Sequence, residues 1–489
     1  MAENAELTSN HAHHHRPPHI LIFPFLAQGH IIPLVDMAIL LSQRGLTVTL
    51  VTTPLNLARI SPAIDLQKAA GRDLRTVELP FPSAHYGLPE NCESLESATS
   101  GGMVWKFLLS TRNLKEPFEK IMQETLPNCL ISDFLLTWTS EVAHKFNIPR
   151  ICFSGTCSFS SVLKCSVHER KPHEGVSSDY EPFLVPGLPH QIELSKAQMP
   201  EILDNWLSGD QGETTKAFWG KVANAEKDSD GIIVNDFYEL EPSYVECYKK
   251  ATGKPVWTVG PLFLCHGNRQ QRGKKSSISE EECLEWLGSK KERSVLYISF
   301  GSISFISRLQ MEEMKLGLEN LGCFFIWVVK ELDDLQFIDS LEEKTRDKGL
   351  IIRGWAPQAV ILSHPSIGAF LTHCGWNSTI EAISFGVPMV TWPLFAEQHL
   401  NEKLVVQILG IGVKVGSHMI SEALGEVVKS EAIVEAVQRV MWPGEEGKRL
   451  REKAWKAGDL ARRAVEDQNG SSCRNVDDFI QFVTNKIVE

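Results

Sequence analysis

Between Trp355 and Gln398 the chain reads WAPQAVILSHPSIGAFLTHCGWNSTIEAISFGVPMVTWPLFAEQ, 44 residues in which polar groups of very different chemistry sit at the ends of apolar runs. The run IGAFLTH reads as a strand that feeds directly into Cys374-Gly375-Trp376-Asn377-Ser378 and then a helix beginning STIEAI. Gly375 permits a tight turn, and a helix start presents unpaired N–H groups to an anion. His373, Asn377 and Ser378 would add an imidazole, an amide and a hydroxyl, a set of neutral donors suited to a diphosphate without a metal. Glu381 lies four residues beyond Asn377 on the same helix face, where its carboxylate could accept both hydroxyls of a ribose. Trp355 follows the run LIIRG, and an indole there can stack on a nucleobase, with Pro357 and Gln358 behind it. Glu397 and Gln398, after Pro393-Leu394-Phe395, could accept from and donate to sugar hydroxyls. Each feature also has a bland reading: a helix cap, a solvated charge, a core indole, an acid in a first helical turn. Their joint occurrence in one block points to a nucleotide sugar.

A second constellation lies near the start of the chain. His30 follows the apolar run HILIFPF through Ala27-Gln28-Gly29, and Pro33 is expected to open the helix that fixes this turn. A histidine of ordinary pKa ~6.5 can take a proton from a hydroxyl at neutral pH. Asp133 closes the run CLISDF, at the same carboxyl edge of the expected sheet. A carboxylate there can hold the distal ring nitrogen, fix the tautomer and stabilise the imidazolium as it forms.

These residues need a scaffold of parallel strands. Short apolar runs alternate with amphipathic segments twice over, the mark of two α/β layers. The first half holds HILIFPF, LTVTLVTT (46–53), CLISDF, PRICFS and GIIVND. The second holds SVLYISF, a helix over Leu309–Leu321, then CFFIWVV, LIIRG, IGAFLTH and VPMVTW. At 489 residues one core is too few, so two domains are expected, facing each other across a cleft that receives strand carboxyl ends from both. The hydrophilic run CHGNRQQRGKKSSISEEE marks residues 265–282 as the linker between a domain over 19–264 and one over 283–465, with a last helical segment in 466–489. The first eighteen residues are polar and His-rich with no apolar centre, and are expected to form a disordered tail rather than a signal peptide.

The net charge of −12 argues against nucleic acid or an anionic membrane surface as partner. Eleven scattered cysteines without CxxC spacing argue for a reducing, cytoplasmic setting over a disulfide framework or a zinc site. No run reaches the ~18 apolar residues of a spanning helix. A dehydrogenase would need GxGxxG after the first strand, which FPFLAQGHIIP lacks. Asp228-Ser229-Asp230 resembles a metal-binding DxD, but it precedes the run GIIVND and so falls at the wrong sheet edge. A non-catalytic nucleotide-sugar sensor would keep Trp355 and Glu381 but have no use for His30 and Asp133.

With HCGWNS at its centre and Gln398 at its end, the 44-residue block resembles the signature box of plant family-1 UDP-glycosyltransferases. The resemblance extends over nearly the whole chain through FPFLAQGHIIPLVDMA, VTTPLN, ISDF and SFGS, and is closest to members that glucosylate flavonoids, triterpenoids, steroids and hormones. It implies a GT-B fold of two Rossmann-like, doubly wound parallel-sheet domains, the first holding the acceptor and the second a UDP-sugar, with the terminal helix packed back on the first. Carried residue by residue, it implies Trp355 on uracil, with Ala356 and Gln358 at the uridine and Glu381 on the ribose. It further implies His373, Asn377, Ser378 and Ser302 at the diphosphate, and Trp376, Glu397 and Gln398 at the sugar. His30 and Asp133 become base and orienting acid of an inverting transfer to a small lipophilic acceptor. Many members carry Asp where this chain has Glu397; the terminal Gln398 goes with glucose as donor. The resemblance implies no bound cofactor or metal and no membrane insertion; a monomer is expected. Acceptor choice is expected to rest on loops such as 83–103, where Tyr86, Met103, Trp105 and Phe107 suit a flat apolar aglycone or an ordinary core equally well.

Overall fold

The computed structural model describes residues 17–98, 100–199, 215–265, 275–304, 306–330, 335–417, 427–466 and 469–488. The tail to residue 16 and residues 266–274 of the expected linker lie outside them.

The apolar runs become strands because Val, Ile, Leu and Phe can be buried on both faces of a sheet sandwiched between helices. In the first half β1 (His19–Phe23), β2 (Thr47–Thr52), β3 (Leu74–Glu78), β4 (Cys129–Asp133) and β5 (Arg150–Ser154) form in turn. A short antiparallel pair, β6 (Phe183–Leu184) and β7 (Glu193–Leu194), interrupts before β8 (Gly231–Val234) and β9 (Val256–Thr258). The seven-stranded sheet is parallel throughout, in the order β3-β2-β1-β4-β5-β8-β9. The second half yields β10 (Val295–Ser299), β11 (Phe324–Val329), β12 (Gly349–Arg353), β13 (Ile367–Thr372), β14 (Met389–Thr391) and β15 (Gly412–Lys414). They make a six-stranded parallel sheet in the order β12-β11-β10-β13-β14-β15.

Both orders reverse direction at one place, between β1 and β4 in the first sheet and between β10 and β13 in the second. At such a switch point the connections leave on opposite sides, so a crevice opens beyond the strand carboxyl ends. His30 follows β1 and Asp133 ends β4; Ser302 follows β10 and His373 follows β13. All four candidate residues therefore stand at the two crevices.

The helix after β1 corrects one expectation. It spans Gln28–Gln43, so Pro33 lies inside it rather than opening it. Proline has no N–H to give to the carbonyl four residues back, and here that carbonyl is Gly29's. It finds a tertiary donor instead: Asn377 Nδ2, from the second half of the chain, at 2.7 Å.

The last helix, Ser471–Val488, lies on β9 of the first sheet. The Trp257 indole meets Phe479 at 5.4 Å and Phe482 at 5.2 Å between ring centroids, and Asn475 donates to the carbonyl of Thr258 at 2.9 Å. Removing a buried indole leaves a cavity that costs about 3–5 kcal/mol. Trp257→Ala should thus release the terminal helix and lower the thermal transition of the first domain by several degrees. An unchanged transition would show that this contact contributes little to stability.

Candidate active site

The first wall is built on the β1–β4 crevice. His30 Nδ1 lies 2.7 Å from Asp133 Oδ2, and Asp133 is fully buried, its other oxygen accepting from the Leu135 N–H at 3.0 Å. An ionised carboxylate only accepts, so Nδ1 carries the proton and Nε2 keeps its lone pair. Phe25 meets the ring edge-on at 5.2 Å and Phe134 stacks on it at 5.8 Å, which fixes its plane. Burial opposes protonation of His30. The Asp133 carboxylate, by charge and hydrogen bond, and the more distant Glu397 and Glu96 outweigh it, so the pKa is held above its ordinary 6.5. Phe25 continues into Phe107 and Phe81, an aromatic row leading away from the base. Phe107 and Trp105 are buried core residues, while Tyr86 and Met103 are partly exposed.

The opposite wall is built on the β10–β13 crevice. His373 sits where a side chain on either neighbouring glycine would collide with it. A Cβ on Gly301 would fall 2.5 Å from its Nε2, and one on Gly375 would fall 2.4 Å away. Burial pushes its pKa down to about 4, so at neutral pH the imidazole is uncharged and keeps one N–H to donate. Gly375 caps the helix Trp376–Ser384, whose first N–H groups have no partner within the helix. Gln358 ties this wall together: its Nε2 donates to Glu381 Oε2 at 2.8 Å and to Ser378 Oγ at 3.1 Å, and its Oε1 accepts from Tyr297 at 3.3 Å. Ser378 thus accepts from Gln358 and keeps its own proton for another partner. Trp355 is half-buried, with Ala356 buried beside it. Ser277 clamps the Trp355 main chain on both sides, its Oγ accepting from N at 3.0 Å and its N–H donating to O at 2.8 Å.

Two expected roles are narrowed by what the side chains already do. The Trp376 indole is 2% exposed and donates to the Asn235 carbonyl of the first domain at 2.7 Å, so only its main chain is left for a sugar. Gln398 Oε1 accepts from the N–H groups of Leu394 at 2.8 Å and Phe395 at 3.0 Å. It can therefore donate to a sugar through Nε2 but not accept. Glu397 caps the helix Gln398–Lys403, and its Oε1 accepts from Asn401 at 3.4 Å.

The two walls touch. The Asn377–Gly29 bond joins the helix start of the second wall to the residue before His30. Ser302 Oγ donates to Glu96 Oε1 at 3.4 Å, and the same oxygen accepts from the Gln28 N–H at 2.6 Å. Sequence reasoning missed Glu96, Ser277, Asn235 and Asn401. None carries a motif signal, and Glu96 fell only within a loop assigned broadly to the acceptor. Asp228-Ser229-Asp230 is elsewhere: Asp230 Oδ2 accepts from the Arg150 N–H at 2.9 Å, at the amino edge of the sheet. Among the described residues no group of three or more metal-ligating side chains is assembled, and no helix is long and apolar enough to cross a membrane.

Comparison with known proteins shows the family. Residues 271–440, which contain the second wall, match the family described as UDP-glucoronosyl and UDP-glucosyl transferase. The chain is 45% identical over 472 residues to a scopoletin glucosyltransferase of Nicotiana tabacum, covering 95% of this chain and 98% of that one. It is 44% identical over 470 residues to an anthocyanin 3'-O-beta-glucosyltransferase of Gentiana triflora, with 93% and 96% covered. The crystal structure of Glycyrrhiza uralensis UGT73P12 complexed with glycyrrhetinic acid 3-O-monoglucuronide superposes with a TM-score of 0.88 at 35% identity, covering 96% of each chain. Two doubly wound domains of GT-B type, a glycine turn and helix start opposite a His–Asp pair, and relatives matched over nearly their whole length lead to one assignment: the chain belongs to the plant family-1 UDP-glycosyltransferases, enzymes that take a UDP-sugar as donor.

Proposed function

We propose that the enzyme transfers glucose from UDP-glucose to a hydroxyl of a small lipophilic plant metabolite, a phenolic or a triterpenoid, by direct displacement with inversion. The first domain, 19–264, receives the acceptor and the second, 283–465, the donor. His30 takes the acceptor proton on Nε2, and Asp133 stabilises the resulting imidazolium. The oxygen attacks the anomeric carbon as its bond to UDP breaks. The diphosphate leaves onto the helix start at Trp376–Ser378, with His373, Asn377 and Ser302 as further donors. Glu381 holds the ribose and Trp355 the uracil. Donors already in place where negative charge grows need no reorganisation during the reaction.

The observation that carries this reading is the 2.7 Å His30–Asp133 bond standing one residue from the Asn377–Gly29 bridge, which supports a base acting next to the helix start at Trp376. The two curated relatives above, both named as glucosyltransferases, support glucose as the donor sugar. The test is turnover of UDP-glucose against a panel of flavonols, coumarins, triterpenoid sapogenins and simple phenols, repeated with UDP-galactose and UDP-glucuronate. Glucoside formation with at least one acceptor, and preference for UDP-glucose, is expected. UDP-galactose or UDP-glucuronate as the better donor would overturn the glucose assignment.

Gln398→Glu makes the donor reading sharper. One carboxylate oxygen can still accept from Leu394 and Phe395, so the turn is kept, but the group can no longer donate. Losing that donated bond should raise the KM for UDP-glucose about tenfold or more. An unchanged KM would mean that Nε2 does not touch the sugar.

A further inference from the structure

Asn401 lies three residues beyond the signature block, and its side chain is completely buried. All of its hydrogen-bonding capacity is used. Nδ2 donates to the Cys374 carbonyl at 2.8 Å and to Glu397 Oε1 at 3.4 Å. Oδ1 accepts from Ser160 Oγ at 2.7 Å and from Cys157 Sγ at 3.6 Å. Cys157 caps the helix Ser158–Arg170, so those last two partners belong to the first domain, at the start of the helix that follows β5.

Cys374 is the residue between His373 and Gly375, and it holds φ +65° without being glycine. Such a conformation persists only where its surroundings over-determine it. The bond from Asn401 to the Cys374 carbonyl is one such constraint, and it fixes the direction in which the chain turns from β13 into the helix at Trp376. One amide therefore reaches three things: the turn of the diphosphate cradle, the carboxylate assigned to the sugar, and a helix of the acceptor domain.

From this we infer that Asn401 is a positioning residue, which sets the diphosphate turn and Glu397 in register with the acceptor domain through Ser160. The inference rests on the roles assigned above to the cradle and Glu397. Asn401 need touch neither substrate. Its inward arm shapes the donor site, and its outward arm places that site against the domain that carries His30.

The two arms are separable by mutation. Ser160→Ala removes the shorter of the two bonds that Oδ1 accepts from the first domain and leaves both Nδ2 bonds in place. It should leave UDP affinity, read by calorimetry, unchanged, lower kcat about tenfold, and raise the fraction of UDP-glucose lost to water rather than to the acceptor. Asn401→Ala removes both arms and should also weaken UDP binding about tenfold. Adding Ser160→Ala to Asn401→Ala should then change nothing further, because the bond it removes is already gone. Asn401→Asp keeps the acceptor for Ser160 but sets a carboxylate oxygen against the Cys374 carbonyl and Glu397. It should weaken UDP binding at least as much as Asn401→Ala, and both variants should keep the wild-type circular dichroism spectrum. The inference is overturned if Ser160→Ala leaves kcat and the hydrolysis fraction unaltered, or if the two substitutions add independently. It is also overturned if Asn401→Ala merely lowers the active fraction, with UDP affinity, KM and hydrolysis fraction intact. A wild-type enzyme with no transfer activity from any UDP-sugar would instead refute the functional assignment on which the inference rests.

Discussion

His30→Ala should lower kcat for glucosyl transfer by about 10³-fold while UDP still binds with wild-type affinity. The separation follows from the geometry. His30 hangs from the β1–β4 crevice, and the groups assigned to UDP belong to the β10–β13 side. Among the described residues the His30 side chain makes no hydrogen bond to that side; the bridge to Asn377 uses the Gly29 carbonyl, which the substitution leaves in place. Asp133→Asn tests the same pair from behind. An amide can present its N–H to His30 Nδ1 and favour the wrong tautomer, so a loss of about 10²–10⁴ in kcat is expected. The pH dependence gives the sign. The base works only when neutral, and Asp133 outweighs burial to hold the His30 pKa above 6.5. Activity should therefore rise with pH through a midpoint above 6.5 in the wild type, and removal of the carboxylate should move that midpoint downward. A His30→Ala enzyme with full turnover, or an Asp133→Asn profile with its midpoint unmoved, would show that the proton goes elsewhere.

Gly375→Ala should be the most damaging single methyl on the donor side. The new Cβ would stand 2.4 Å from His373 Nε2, closer than any real contact, while the backbone there is unstrained. His373 is also closely approached by Gly301, where an added Cβ would fall 2.5 Å from the same Nε2. Overpacking of this kind costs about 1–3 kcal/mol, which would weaken UDP binding about five- to 150-fold if it falls on the cradle. Calorimetric titration of UDP into the variant measures this directly, and unchanged affinity would place the diphosphate away from His373. Gly301→Ala would act on the same imidazole, but it would add backbone strain at φ +75°, so the methyl at Gly375 is the cleaner test.

The strand ends and helix start that carry the candidate site were legible in the sequence. Strand, glycine turn and helix start follow one another within ten residues around His373–Ser378, so the cradle is a local pattern that local rules can read. The same holds for His30 and Asp133, each placed at a strand end by a short apolar run. What stayed hidden is how each side chain divides its atoms between ligand and protein. The Trp376 indole is taken up by Asn235, 141 residues away in sequence, and Asn401 by Ser160, 241 residues away. Periodicity carries no information about such pairs. Pro33 misled for a related reason: proline usually marks a helix start, but here a distant amide satisfies the carbonyl that proline leaves free. The Gln398 carbonyl oxygen is spent on its own turn, a local bond that depends on a loop conformation with no sequence signature.

Base-activated attack on one face, with the leaving diphosphate held on the other, has a stereochemical consequence that no change of acceptor alters. The most direct measurement is the proton NMR spectrum of the glucoside formed from UDP-α-glucose, recorded during turnover. A large trans-diaxial coupling at the anomeric proton, the mark of a β-glucoside, is the predicted result. The small coupling of an α-glucoside as the first product would contradict single displacement, and with it the part assigned to His30 and Asp133.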